Sequence, residues 1–117
     1  AIVVVAHMGI ENENNIPETG VRDLANAVPE IDVIVAGHMH QNVSKEIING
    51  VLITEPHRYG TFVSEVDLKF EIENGKISLI SKDSTTVPVK DEEPDPEIEK
   101  IYKPFHNRLC KIANEKV

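Results

Sequence analysis

Hydrophobic positions follow three different periods along the chain. Residues 1–36 hold two unbroken apolar runs, Ala1-Ile2-Val3-Val4-Val5-Ala6 and Val33-Ile34-Val35-Ala36. Runs of this kind belong to strands buried on both faces, as parallel strands are. Between them, Pro17-Glu18 suits a helix start, with proline in the first turn and an acid near the positive helix end. Val21, Leu24, Ala25 and Val28 then fall on one helix face, and Pro29 stops the pattern. The segment predicts a β-α-β unit with a right-handed crossover and a parallel strand pair.

From residue 46 the period is two. Glu46-Ile47-Ile48 and Val51-Leu52-Ile53 flank Asn49-Gly50, a strong hairpin signal. A loop follows from Glu55 to Gly60, carrying Pro56, His57, Arg58 and Tyr59. Phe62, Ser64, Val66, Leu68, Phe70 and Ile72 then alternate with a mostly charged set, which predicts a long strand with one face in a core. Asn74-Gly75 turns it into a partner strand from Lys76 to about Ser81, and Asp83 to Lys90 is expected as an irregular or edge segment.

The third period is helical again. Asp91-Glu92-Glu93-Pro94-Asp95-Pro96 has the composition of a linker. Asp95 is placed to cap a helix and Pro96 to occupy its first position. Ile98, Ile101, Tyr102, Phe105, Leu109 and Ile112 form a stripe at helical spacing. Pro104 interrupts it and is expected to kink the helix, at a cost of about 3 kcal/mol. The stripe either packs on the same chain or docks on a domain outside it.

Composition narrows the partners. The length of 117 residues allows one domain at most, and 40% hydrophobic with 27% charged residues is ordinary for a globular chain. A net charge of −8 argues against a nucleic acid polymer or an anionic membrane held by general electrostatics. No stretch approaches the roughly 20 apolar residues of a membrane span. Cys110 is the sole cysteine, so an internal disulfide is impossible. The chain opens inside an apparent buried strand, which suggests a piece of something longer.

Candidate chemistry lies at the ends of the two apolar runs. The first delivers His7 and the second delivers Gly37-His38-Met39-His40. Open α/β sheets gather ligands at the carboxyl ends of parallel strands, and neutral imidazole is the commonest transition-metal ligand. One histidine at a strand end is ordinary; three together point to a metal site. Gly37 is expected to supply a tight backbone path. Residues at i and i+2 of an extended segment lie about 7 Å apart, so His38 and His40 can serve two neighbouring ions.

With these residues placed, the chain resembles the C-terminal part of a calcineurin-like metallophosphoesterase domain. The likeness is closest to the 5′-nucleotidases and the 2′,3′-cyclic-nucleotide 2′-phosphodiesterase/3′-nucleotidases. Val5-Ala6-His7-Met8-Gly9 resembles the family's single-histidine motif. Asp32 to His40 resembles its Asp-apolar-Gly-His-x-His signature, and Pro56-x-Arg58-Tyr59-Gly60 its turn before the final long strand. The resemblance implies an α/β fold: part of a four-layer sandwich over residues 1–90, with residues 91–117 as acidic linker and connector helix toward a further domain. It implies a hydrolase of nucleotide phosphoesters using two divalent metal ions. His7 and His38 would bind one ion and His40 the other, with His57, Arg58 and Tyr59 near the site. Imidazole-rich ligation favours Mn, Fe, Co or Zn over Mg. A secreted, cell-wall or periplasmic bacterial location goes with the family.

The family's Asp-x-His, Gly-Asp and Gly-Asn-His-Asp/Glu motifs do not occur here. They carry the bridging aspartate and the histidine that protonates the leaving group, so no catalytic residue is expected within this chain and the chain alone is expected to be inactive. Asp32 is expected to support its strand, and Glu11, Glu13 and Asn14, in the loop after His7, to stand at most behind the metal ligands. Two alternatives remain open from the residues: a phosphatase with a non-nucleotide substrate, and a non-catalytic metal-binding or interaction module. Exposed apolar faces would make the isolated chain self-associate or pack on the remainder of its own protein.

Overall fold

The computed structural model describes residues 1–90 and 92–115; Asp91, the first residue of the expected linker, lies outside them, as do residues 116–117 of the connector segment. Strand β1 (Val3–Val5) leads through a 3-10 turn (Glu13–Asn15) to helix α1 (Val21–Ala27) and strand β2 (Val33–Val35). Strands β3 (Asn42–Ile48), β4 (Val51–Pro56), β5 (Phe62–Glu73) and β6 (Lys76–Pro88) follow, and helix α2 (Pro96–Asn114) ends the described chain.

One sheet has the order β1-β2-β4-β3. β2 pairs in parallel with β1 and also with β4, while β3 returns antiparallel to β4. The α/β reading therefore holds, with one addition: β4 is both hairpin partner and third parallel strand. Alternation sorts its residues between two layers. Ile34, Ala36, Val51 and Ile53 join Val21 and Ala25 of α1 and Ile10, Ile31 and Ile48 in the core. On the other face Val33, Leu52 and Thr54 are fully buried. There the Thr54 hydroxyl donates to the Val43 carbonyl at 3.0 Å and accepts from Ser64 at 2.8 Å, which ties the β5–β6 ribbon to the sheet. The Ser84 hydroxyl donates to the Ser44 carbonyl at 2.7 Å, and the Lys82 ammonium to the Asp32 carbonyl at 2.9 Å.

Several expected boundaries shift. α1 begins at Val21, not at Pro17-Glu18, because the preceding chain runs against the loop after β1. The amides of Val21 and Arg22 donate to the carbonyls of Gly9 at 2.9 Å and Ile10 at 3.1 Å, so the loop satisfies the open helix end. Glu18 takes a left-handed backbone, φ 65, that no helix includes. β6 continues to Pro88, well beyond Ser81. A register shift between Lys69 and Phe70 hides this continuity in the sequence, since a bulge breaks the alternation. Thr85, Thr86 and Val87 pair with Glu65, Ser64 and Val63.

Burial also differs from expectation. β1 is an edge strand within this chain, and Val5 is 82% exposed. The apolar face of β5 is covered only near the sheet, and Phe70 and Ile72 project beyond it into solvent. In α2 the Asp95 carboxylate accepts from the amides of Glu97 at 2.8 Å and Ile98 at 3.2 Å, the expected cap. The helix runs on through Pro104, and none of its described residues is buried. A radius of gyration of 19.0 Å exceeds the roughly 13 Å of a compact chain of this length.

Two outcomes follow from this packing. A methyl group at Gly20 would lie 2.7 Å from the Ile10 carbonyl oxygen and 2.8 Å from the Glu11 carbonyl carbon, both backbone atoms. Gly20→Ala should therefore destabilise the chain by about 1–3 kcal/mol in urea unfolding. The exposed β1 edge and the bare stripe Ile98, Ile101, Phe105 and Leu109 should drive association. Sedimentation over a concentration series should show dimers or larger species; a 13 kDa species at every concentration would contradict it.

Candidate metal centre

Registering Val5 with Val35 and Val35 with Thr54 brings the carboxyl ends of three parallel strands to one edge. Bonds from the Ala6 amide to Val35 O at 2.9 Å and from the Ala36 amide to Thr54 O at 2.8 Å carry this alignment past the strand ends. The chain leaves β1 into His7, β2 into Gly37-His38-Met39-His40, and β4 into His57-Arg58-Tyr59. His7 and His38 meet. Their rings lie 4.8 Å apart at 66°, with His7 Nε2 3.0 Å from His38 Nδ1.

The tight backbone path falls on the histidines, not on Gly37 as expected. Gly37 has no positive φ, and a methyl group there would meet only the Ala6 carbonyl at an ordinary 3.9 Å. His38 takes φ 76 and His40 φ 57. The Met39 amide donates to the Gly37 carbonyl at 3.0 Å, so His38 is the centre of a γ-turn, a strained conformation for a residue with a side chain.

Glu13, in the turn after β1, reaches back to this pair: its Oε1 is 3.2 Å from His38 Nε2. A carboxylate only accepts, so in a neutral His38 the proton resides on Nε2 and Nδ1 presents a lone pair. His7 Nε2 then donates to that lone pair. Glu11 is engaged elsewhere, accepting from Arg22 at 2.7 Å and raising the guanidinium pKa. Asp32 accepts from the Ile2 amide at 2.7 Å, the strand support expected of it.

His40 lies 5.8 Å from the Tyr59 ring, and the Arg58 guanidinium lies 5.0 Å over that ring. The loop from β4 is fastened to the histidine loop by the His57 amide, which donates to the Gln41 carbonyl at 2.9 Å. The His57 ring stays in its own turn, with Nδ1 3.1 Å from the Thr61 hydroxyl. Of the three neighbours expected, Arg58 and Tyr59 therefore border His40, while His57 acts as a turn residue. His106 and Cys110 face each other on α2 at 3.5 Å.

One residue of this edge escaped the sequence reading as a functional candidate. Glu55, near the end of β4, is fully buried. Its Oε1 accepts from the Gln41 amide at 3.0 Å, and its Oε2 has no partner. Burial pushes its pKa up, against the opposing pull of the Gln41 and His40 amides and of the charges of His40 and His38. The available signal was a charged residue closing an otherwise apolar strand.

No protein-family model matches the chain. It is 37% identical over its whole length to endonuclease YhcR of Bacillus subtilis, covering 10% of that protein. It is 29% identical over 99% of its length to the trifunctional nucleotide phosphoesterase protein YfkN of the same organism, covering 8% of it. The crystal structure of the calcineurin-like phosphoesterase YfkN superimposes on 98% of this chain with a TM-score of 0.79 at 21% identity, using 40% of the YfkN chain. The chain has the fold of part of a calcineurin-like phosphoesterase domain. It spans about a tenth of the length of the curated relatives it matches.

Metallophosphoesterases use divalent metal ions. In this chain no three His, Cys, Asp or Glu side chains among the described residues converge closely enough to hold one. Two donors do fit. Imidazole nitrogens bound to one ion at about 2.0–2.1 Å lie roughly 2.9 Å apart at a right angle and 3.4 Å apart at a tetrahedral one. The 3.0 Å between His7 Nε2 and His38 Nδ1 falls in that interval. Glu13 on the opposite nitrogen of His38 completes the carboxylate–histidine arrangement that metal-bound imidazoles adopt.

Long-range proton–nitrogen NMR of the metal-free chain at mildly alkaline pH tests this geometry. Protons should be found on Nε2 of both His7 and His38, with His38 Nδ1 bare. A proton on His38 Nδ1 would contradict the arrangement.

Proposed function

We propose that this chain contributes three metal ligands, His7, His38 and His40, to a two-metal phosphoesterase that hydrolyses nucleotide phosphomonoesters or 2′,3′-cyclic nucleotides. The observation that carries the reading is the approach of His7 and His38, from neighbouring parallel strands, to the separation of two ligands on one ion. The substrate class is supported by the likeness to YfkN, a nucleotide phosphoesterase. A Staphylococcus aureus protein described as a candidate 5′-nucleotidase shares the fold as well, with a TM-score of 0.63 over 90% of this chain and 22% of its own.

Bound ions of such a centre polarise the phosphoryl oxygens and lower the pKa of a water molecule. The residues of this chain do the holding. His7 and His38 bind through facing nitrogens, and Glu13 keeps the far nitrogen of His38 protonated and its ring in place. Arg58, over the exposed Tyr59 ring beside His40, puts one positive charge at the mouth of a chain whose net charge is −8. The bridging carboxylate and the proton donor to the leaving group come from outside these residues. Residues 1–90 form the later part of the phosphoesterase domain in this reading, and residues 91–117 lead to a further domain. A secreted, cell-wall or periplasmic location accompanies it. No described helix is long and apolar enough to cross a membrane.

The likeness to endonuclease YhcR favours a second reading, cleavage of phosphodiesters in a polynucleotide. The acidity of the chain then leaves the polymer-binding surface to other parts of the protein.

Calorimetric titration with Zn2+ tests the ligand set, in a Cys110→Ser background because the thiol and His106 offer a competing pair. Uptake should be lost in His7→Ala and in His38→Ala, and persistence in both would overturn the reading. With bis(p-nitrophenyl) phosphate and Mn2+ or Zn2+, the isolated chain should show no turnover. The intact protein should show turnover that His38→Ala abolishes.

A further inference from the structure

Glu55 presents a physical problem that the fold by itself does not answer. Its carboxylate is fully buried at the carboxyl end of β4, beneath the loop that carries His38 and His40. One oxygen holds that loop through the Gln41 amide at 3.0 Å. The other is out of contact with water and without a hydrogen-bond partner. A buried polar oxygen left so carries an uncompensated desolvation cost. A glutamine would accept the same Gln41 bond without a net charge, so tethering the loop does not account for a carboxylate. Among the described residues no lysine or arginine pairs with it; their ion pairs lie at other sites. What lies beside it is the imidazole edge where positive charge would arrive with a metal ion.

We propose that Glu55 is a positioning residue and buried counter-charge of the metal centre: it fastens the His38–Gln41 loop to β4 and balances the cation held by the histidines without ligating it. The inference rests on the proposed metal-binding function. In low-dielectric surroundings a fixed negative charge acts on a nearby cation with little screening. Groups behind the ligands typically change metal affinity 10–100-fold when they are altered. The unpaired oxygen is then a cost of the metal-free state, relieved when a cation binds.

The test pairs two measurements on the full chain, again with Cys110→Ser. Glu55→Gln keeps the acceptor for the Gln41 amide and removes the charge. It should bind Zn2+ roughly 10–100-fold more weakly, while its metal-free melting temperature stays level or rises. A residue that only supports the fold would lower the melting temperature on substitution. Unchanged affinity in Glu55→Gln, or a fall in both affinity and metal-free stability, would overturn the proposal while leaving the histidine ligands standing. Failure of the unsubstituted chain to take up Zn2+ would overturn the metal reading and this inference together.

Discussion

The parallel pairing of β2 with β1 on one side and β4 on the other is the constraint on which the rest of this structure depends. Each strand is short, and the ladder keeps them in step from Val3, Val33 and Leu52 to Val5, Val35 and Thr54. Parallel strands end together, so their outgoing loops share one edge. Two histidines separated by thirty-one positions in sequence thereby come to hydrogen-bonding distance. A slip of one residue between β1 and β2 would turn His7 to the other face of the sheet and dissolve the pair. The buried cluster of Ile34, Ile53, Val21 and Ala25 resists that slip, and in this sense the core specifies the site.

At the edge itself, local stability is given up. His38 and His40 both hold left-handed backbone conformations, at a cost of about 1–3 kcal/mol each. Glu55 buries a carboxyl group with one oxygen unsatisfied. Tyr59, a bulky aromatic, stands 84% exposed at φ 58. These features occur in two adjoining loops and the strand end between them, whereas the opposite edge turns through Asn49-Gly50, where positive φ is easily accommodated. Strain of this kind beside the histidines fits a site shaped for binding.

The distribution of apolar surface has the same logic on a larger scale. The sheet is covered on one face by α1 and on the other by the near half of the β5–β6 ribbon. Beyond that, the far half of the ribbon, the outer edge of β1 and the whole of α2 carry apolar side chains that nothing in the described chain covers. The elongated form, 64 × 40 × 21 Å, records this incomplete closure. It accords with a chain that matches 40% of the YfkN chain in its crystal structure.

Local signals in the sequence determined the elements. Unbroken apolar runs marked β1 and β2, Asn-Gly pairs marked both hairpin turns, strict alternation marked β5, and Asp95-Pro96 marked the start of α2, because each of these depends on neighbours within a few residues. The histidines at the strand ends were legible for the same reason. Tertiary structure decided the remainder. Only the loop carbonyls of Gly9 and Ile10 moved the start of α1 to Val21, and only pairing with β5 carried β6 through Asp83 to Pro88. Glu13 acquired its place on His38, and Glu55 its burial, from strands and loops distant in the chain. A carboxylate in isolation is a solvated charge. Whether it orients an imidazole or remains in water depends on which groups the fold packs against it.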